Sequence, residues 1–200
     1  MKKILFTLAL IASVVLFAEA QSIKPGEKAP TFSLKGVDGK TVSLSDYNKE
    51  KGVILIFSCN TCPYVVAYED RIIELHNKFA PNGFPVVAIN PNNPELSEGD
   101  SFEAMQKRAK EKSFPFPYLF DAKQEIFPKY GATRTPEVFL LKNTGNGFEV
   151  AYTGTIDDNY KDANEVKEKF VENAVKAVLK GTTPETATTK AIGCGIKVKK

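Results

Sequence analysis

Two cysteines stand three positions apart in the stretch FSCNTCPY, Phe57 to Tyr64, directly before a proline. A thiol attacks a disulfide only as its thiolate, so such a pair is a redox centre where its surroundings stabilise negative sulfur. A helix N-terminus does so, through unpaired backbone N–H groups and the positive end of the helix dipole. The sequence sets Cys59 at the mouth of such a helix, exposed and with a lowered pKa. Cys62, in the first turn, can then attack the mixed disulfide and release the product. A structural staple is a poor explanation, because the closed loop is only four residues long and a bond there removes little unfolded-state entropy.

The elements that must position this pair are legible around it. Gly52 to Ser58, GVILIFS, is a continuous apolar, β-branched run, as a strand buried on both faces requires. From Cys62 to Ala80 the period changes to about 3.6, with Val65, Tyr68, Ile72, Leu75 and Phe79 on one face. Pro63 is tolerated only in a first turn, where its missing N–H costs nothing. Phe84 to Asn90 is a second buried strand and completes a βαβ unit.

Residues 31 to 43 alternate around Asp38-Gly39, which predicts a hairpin with a type I′ turn. A helix is expected from about Ser101 to Lys112, with Asp100 and Glu103 at capping-box spacing. Tyr118 to Asp121 reads as a short strand, and Gln124 to Tyr130 as a short helix stopped at Gly131. Glu137 to Lys142 and Phe148 to Ile156 flank NTGNG as an antiparallel pair, and an amphipathic helix from Ala163 to Lys180 follows. Strands alternate with helices, so the class is α/β with a central sheet between helices.

The N-terminus bears on what the cysteines can do. Lys2 and Lys3, an apolar run from Ile4 to Phe17, and Ala18-Glu19-Ala20 form a secretory leader pattern, with the mature chain starting at Gln21. That run is 14 residues, short of the roughly 20 a spanning helix needs, so no membrane span is expected in the mature chain. The expected organisation is a leader at 1–20, one domain at 21–181, and a tail at 182–200 carrying Cys194. The net charge of +3 is near balance and makes no electrostatic case for nucleic acid or an anionic membrane. Three cysteines in an exported chain cannot all pair within it.

The hairpin KAPTFSLKGVDGKTVSL, the passage VILIFSCNTCPYVVAYEDR and the later ATRTPEVFLL resemble the redoxin branch of the thioredoxin superfamily. That branch includes the alkyl hydroperoxide reductase/thiol-specific antioxidant (AhpC/TSA) proteins and exported thiol-disulfide reductases. The nearest pattern is a peroxiredoxin-like subgroup with FxCNHCPYV, TRTPEVFL and a tail like TKAIGCxIK. The resemblance implies a thioredoxin-like fold, Cys59 as nucleophile and Cys62 as resolving cysteine. It also implies a cis Pro136 facing them and Thr135 offering backbone hydrogen bonds to a bound peptide. Arg134 is a candidate thiolate stabiliser. Where the subgroup has histidine between the cysteines this chain has Thr61, and Val53 stands where thioredoxin keeps a buried aspartate. Glu69 and Glu137 are candidate proton acceptors, each also readable as a surface or rim charge.

The expected function is an exported, periplasmic thiol-disulfide oxidoreductase acting on protein or small-molecule disulfides, with a thiol electron donor. No organic cofactor is implied, because the pair itself carries two electrons. The nearest rival is a thiol peroxidase acting on peroxides: Cys62-Pro63 fits half of that pattern, but Cys59 occupies the slot of the activating hydroxyl. A rival of another class is a copper or zinc carrier, which needs further ligands. His76, the only histidine, lies on the same helix about 21 Å past Cys62 and reads as the edge of the buried stripe; no metal site is assigned. Cys194 between two glycines is either an additional resolving thiol that swings to the pair or part of a docked terminal segment, IGCGIKV.

Overall fold

The computed structural model describes residues 22–199, so the leader pattern lies outside the described residues. The apolar run forms β3 (Gly52–Phe57), the amphipathic stretch α1 (Pro63–Phe79), and the next apolar run β4 (Val86–Asn90), parallel to β3. Every residue of β3 and β4 is buried, which is why neither alternates in polarity. Around them lie β1 (Ser33–Gly36), β2 (Thr41–Ser43), β5 (Tyr118–Phe120), β7 (Glu137–Asn143) and β8 (Phe148–Gly154). They form one mixed seven-stranded sheet in the order β2-β1-β5-β4-β3-β7-β8.

Alternate residues of the central strands feed two cores. Ile54, Ile56, Val86 and Leu140 pack with Tyr68, Ile72, Leu75 and Phe79 of α1 and with Val171 and Val175 of α4 (Phe170–Leu179). On the opposite face Val53, Leu55, Phe57 and Val87 pack with Phe139 and with Phe127 and Tyr130 of α3 (Phe127–Tyr130). Each fully buried aliphatic or aromatic side chain is worth about 1.5–3 kcal/mol relative to exposure. Helices therefore cover both sides of the sheet, the α/β arrangement expected. The remaining elements are α2 (Phe102–Glu111), β6 (Arg134–Thr135) and β9 (Cys194–Gly195), the last two forming a separate antiparallel pair.

Four local expectations are corrected. The hairpin turn is not type I′: only Gly39 is left-handed, with φ of 84°, while the Asp38 carboxylate accepts the Lys40 amide at 3.1 Å. The N-cap of α2 is Ser101, whose hydroxyl accepts the Ala104 amide, leaving Asp100 free to face elsewhere. Residues 124–126 are not helical, because the Asp121 carboxylate takes the amides of Glu125, Ile126 and Phe127; Gly131 then closes α3 with φ of 64° as expected. Finally, α4 starts at Phe170 rather than Ala163. Asp158 binds the Lys167 amide through its side chain and the Glu168 carbonyl through its own N–H, and this loop pairing replaces the first helical turns.

Candidate active site

Pro63 occupies the first position of α1, which forces an extended residue before it, and that residue is Cys62 (φ −74°, ψ 122°). The helix mouth thus belongs to Cys62 and not to Cys59, as the spacing had suggested. Both sulfurs are buried, with Cys59 3% and Cys62 2% exposed, which also departs from the expected exposed nucleophile. All three cysteines are free thiols. The loop before β7 faces them: the Cys59 sulfur lies 3.1 Å from the Thr135 hydroxyl, and the Cys62 thiol donates to the Thr135 carbonyl at 3.1 Å. The Thr135–Pro136 bond is cis.

The two thiols are pushed in opposite directions, Cys62 down and Cys59 up. The Cys62 thiol is held down to about 5, first by the hydrogen bond from the Cys59 thiol, against burial, and then by Cys194 and by the backbone amides of Val65 and Cys194. The Thr135 carbonyl, an acceptor only, opposes ionisation there. Cys59 is pushed far up, first because it keeps its proton for Cys62, then by burial and by the charge of Asp100.

Asp100 is the residue that sequence reasoning missed. Its carboxylate is buried and accepts the Asn60 amide (2.6 Å), the Thr61 hydroxyl (2.9 Å), the Ser97 hydroxyl (2.6 Å) and the side-chain amides of Asn92 (2.9 Å) and Asn90 (3.3 Å). Burial alone would raise its pKa, but the bonds from Ser97, Asn60, Asn92 and Thr61 hold it below the ordinary carboxylate value. It fixes the two residues between the cysteines. Tyr118 adds a hydroxyl bond to the Asn60 side chain at 2.9 Å. The available signal was the run of polar residues Asn90, Asn92, Ser97 and Asp100 leaving the end of a buried strand.

The other candidates are placed differently from one another. Arg134 does not hydrogen-bond either cysteine of the pair; its guanidinium donates to the Gly193 carbonyl at 2.8 Å. Glu137 is buried and accepts the Thr133 and Arg134 amides, so it shapes the loop that carries Thr135, and burial raises its pKa. Glu69 is buried too, in a two-pronged ion pair with Arg108 at 2.7 and 2.6 Å that ties α1 to α2. Neither is a surface or rim charge. Val53 is fully buried and apolar. His76 accepts the Val86 amide through Nδ1 at the half-buried edge of α1, as expected. Among the described residues no three His, Cys, Asp or Glu side chains are arranged to hold a metal ion.

The tail is docked at the site. Cys194 pairs with Thr135 and Gly195 with Arg134 in the β6–β9 ladder, and Cys194 packs against Cys59, Cys62 and Val65. Its thiol is pushed up to about 11, by burial and then by its hydrogen bond to Cys62. The backbone of Thr135, expected to receive a bound peptide, thus receives the chain's own tail.

Comparison with known proteins agrees with this architecture. The profile of the AhpC/TSA family matches residues 25–151. Thiol-disulfide oxidoreductase ResA of Bacillus subtilis is 30% identical over 147 residues, covering 72% of this chain and 75% of its own. A hypothetical protein from Sinorhizobium meliloti is 31% identical with a TM-score of 0.82, over 90% of this chain and 97% of that one. An uncharacterized conserved protein from Geobacillus kaustophilus is 34% identical with a TM-score of 0.81, over 88% and 92%.

Proposed function

The chain belongs to the AhpC/TSA family, and on that premise we propose that it is a thiol-disulfide oxidoreductase exchanging electrons through Cys59 and Cys62. The observation that carries the reading is geometric: the two sulfurs sit together at the N-terminus of α1, Cys62 as its N-cap, with Thr135 touching both. Such a pair can cycle between dithiol and disulfide. The Cys62 thiolate attacks one sulfur of a substrate disulfide, and the leaving thiolate takes a proton. Cys59 then gives up its proton, attacks the mixed disulfide at Cys62, and releases the second substrate thiol. The roles are the reverse of those the resemblance implies.

The substrates on this reading are protein disulfides, a thiol donor restores the dithiol, and the chain is exported by its residues 1–20. Thr135 and Pro136 line the face a substrate must approach. Titration against a glutathione series tests the centre: a two-electron transition in the wild type, lost in Cys59→Ser and Cys62→Ser, is expected, and no transition in the wild type would end the proposal. N-terminal sequencing of the mature protein, expected to begin at Gln21, tests export.

Peroxide reduction is the second reading, favoured by one observation: the cysteine at the helix N-terminus, Cys62, is the one that precedes a proline. Peroxide consumption that survives Cys59→Ser and stops in Cys62→Ser would support it.

A further inference from the structure

The tail does not simply rest near the site. Cys194 sits opposite Thr135 in antiparallel register. Gly193 lies so close to the Thr135 carbonyl and the start of Pro136 that a Cβ there would collide with rigid backbone. Arg134 holds the Gly193 carbonyl, and the Ile196 amide donates to the Thr133 carbonyl at 3.1 Å. Beyond it, Lys197 is bound at both its N–H and its C=O by Asn92 and Asn93. Upstream, Thr189 is tied to the end of β8 through the Thr153 carbonyl and the Thr155 amide. The stretch between, around the 44% exposed Ile192, has no such anchor and can act as a hinge.

We propose that residues 193–197 are a built-in substrate strand, and that Cys194 takes the disulfide from the Cys59–Cys62 pair, latching the tail over the peptide-binding edge of β6. This rests on the reading of Cys59–Cys62 as the redox centre. The step is an isoelectronic exchange. The Cys194 thiolate attacks the Cys62 sulfur of the Cys59–Cys62 disulfide, the bond between Cys59 and Cys62 breaks, and its electron pair leaves on Cys59, which takes up the proton lost by Cys194. No external oxidant is consumed. The Cys62–Cys194 form keeps the oxidising equivalent but covers the edge; the reverse exchange returns the disulfide to Cys59–Cys62, and the tail is then free to lift and admit an extended cysteine-containing peptide in its place.

The test is a disulfide map of the full mature chain equilibrated with glutathione disulfide, acid-quenched, alkylated with N-ethylmaleimide and cut with trypsin. Cleavage after Lys51, Arg71, Lys190 and Lys197 isolates Cys59 and Cys62 on one peptide and Cys194 on another. The expected product is the two peptides joined, with one alkylated thiol; the link persists in Cys59→Ser and vanishes in Cys62→Ser. Gly193→Ala touches no sulfur and is expected to lower the linked fraction about tenfold, by exchanging a docked thiol for a loosely tethered one. A disulfide confined to Cys59–Cys62 with Cys194 fully alkylated across the glutathione series overturns the latch and leaves the redox centre standing. Absence of any disulfide on the 52–71 peptide overturns the redox centre instead.

Discussion

Moving the thiolate is the sharpest perturbation of this site. The Cys62 thiol is held down to about 5, chiefly by the proton of Cys59. A charge-assisted hydrogen bond of that kind is worth about 1.5–3 kcal/mol, or about one to two pKa units. Cys59→Ala should therefore move the Cys62 midpoint from about 5 to about 6–7. At pH 6 the wild-type sulfur carries about 300 times the thiolate of an ordinary cysteine, while its intrinsic nucleophilicity is about 40-fold lower, leaving a net advantage of about sevenfold. That advantage fades towards pH 7, so the comparison belongs below neutrality. The assay is iodoacetamide alkylation from pH 4 to 9 with the labelled cysteine identified by mass spectrometry. The midpoint and the labelled residue carry the test. A midpoint near that of a free thiol, label on Cys59 in preference to Cys62, or an unchanged midpoint in Cys59→Ala would each refute the assignment of the charge.

Asp100→Ala leaves several buried donors unpaired and should cost about 3 kcal/mol, a fall of about 6–12 °C in Tm, read by calorimetry. Because hydrogen bonding holds the folded Asp100 carboxyl below its ordinary value, its contribution is present above the unfolded value of about 3.9 and disappears as pH falls through the folded one. Wild-type stability in denaturant titrations should thus fall more steeply under acid than that of Asp100→Asn. Glu69→Ala removes the carboxylate under Arg108, and since Arg108 is partly solvated the loss should be about 2 kcal/mol, read from the urea midpoint. Thr135→Val keeps the shape beside Cys59 and removes its hydroxyl partner; a loss of about 1 kcal/mol in the same assay is expected.

How far the site was legible follows from how local each cause is. The strand and helix around the cysteines could be read because burial on both faces removes alternation and because one apolar stripe sets a 3.6 period. The late start of α4 could not, since its period continues upstream while Asp158 captures those residues in a loop. Asp100 was taken for a cap because its spacing to Glu103 allows one; its true partners include Asn60 and Thr61, some forty positions earlier.

By itself, then, the sequence determined that a cysteine pair joins a buried strand to a helix in an α/β domain, because periodicity and proline geometry act within a few residues. Only the tertiary structure decided that Cys62 rather than Cys59 caps the helix, that Asp100 braces the pair, and that Cys194 lies upon it. Those outcomes depend on groups brought together from Asn60, Asp100, Thr135 and Cys194, and a hydrogen bond's strength is set by distance in space, on which separation along the chain is silent.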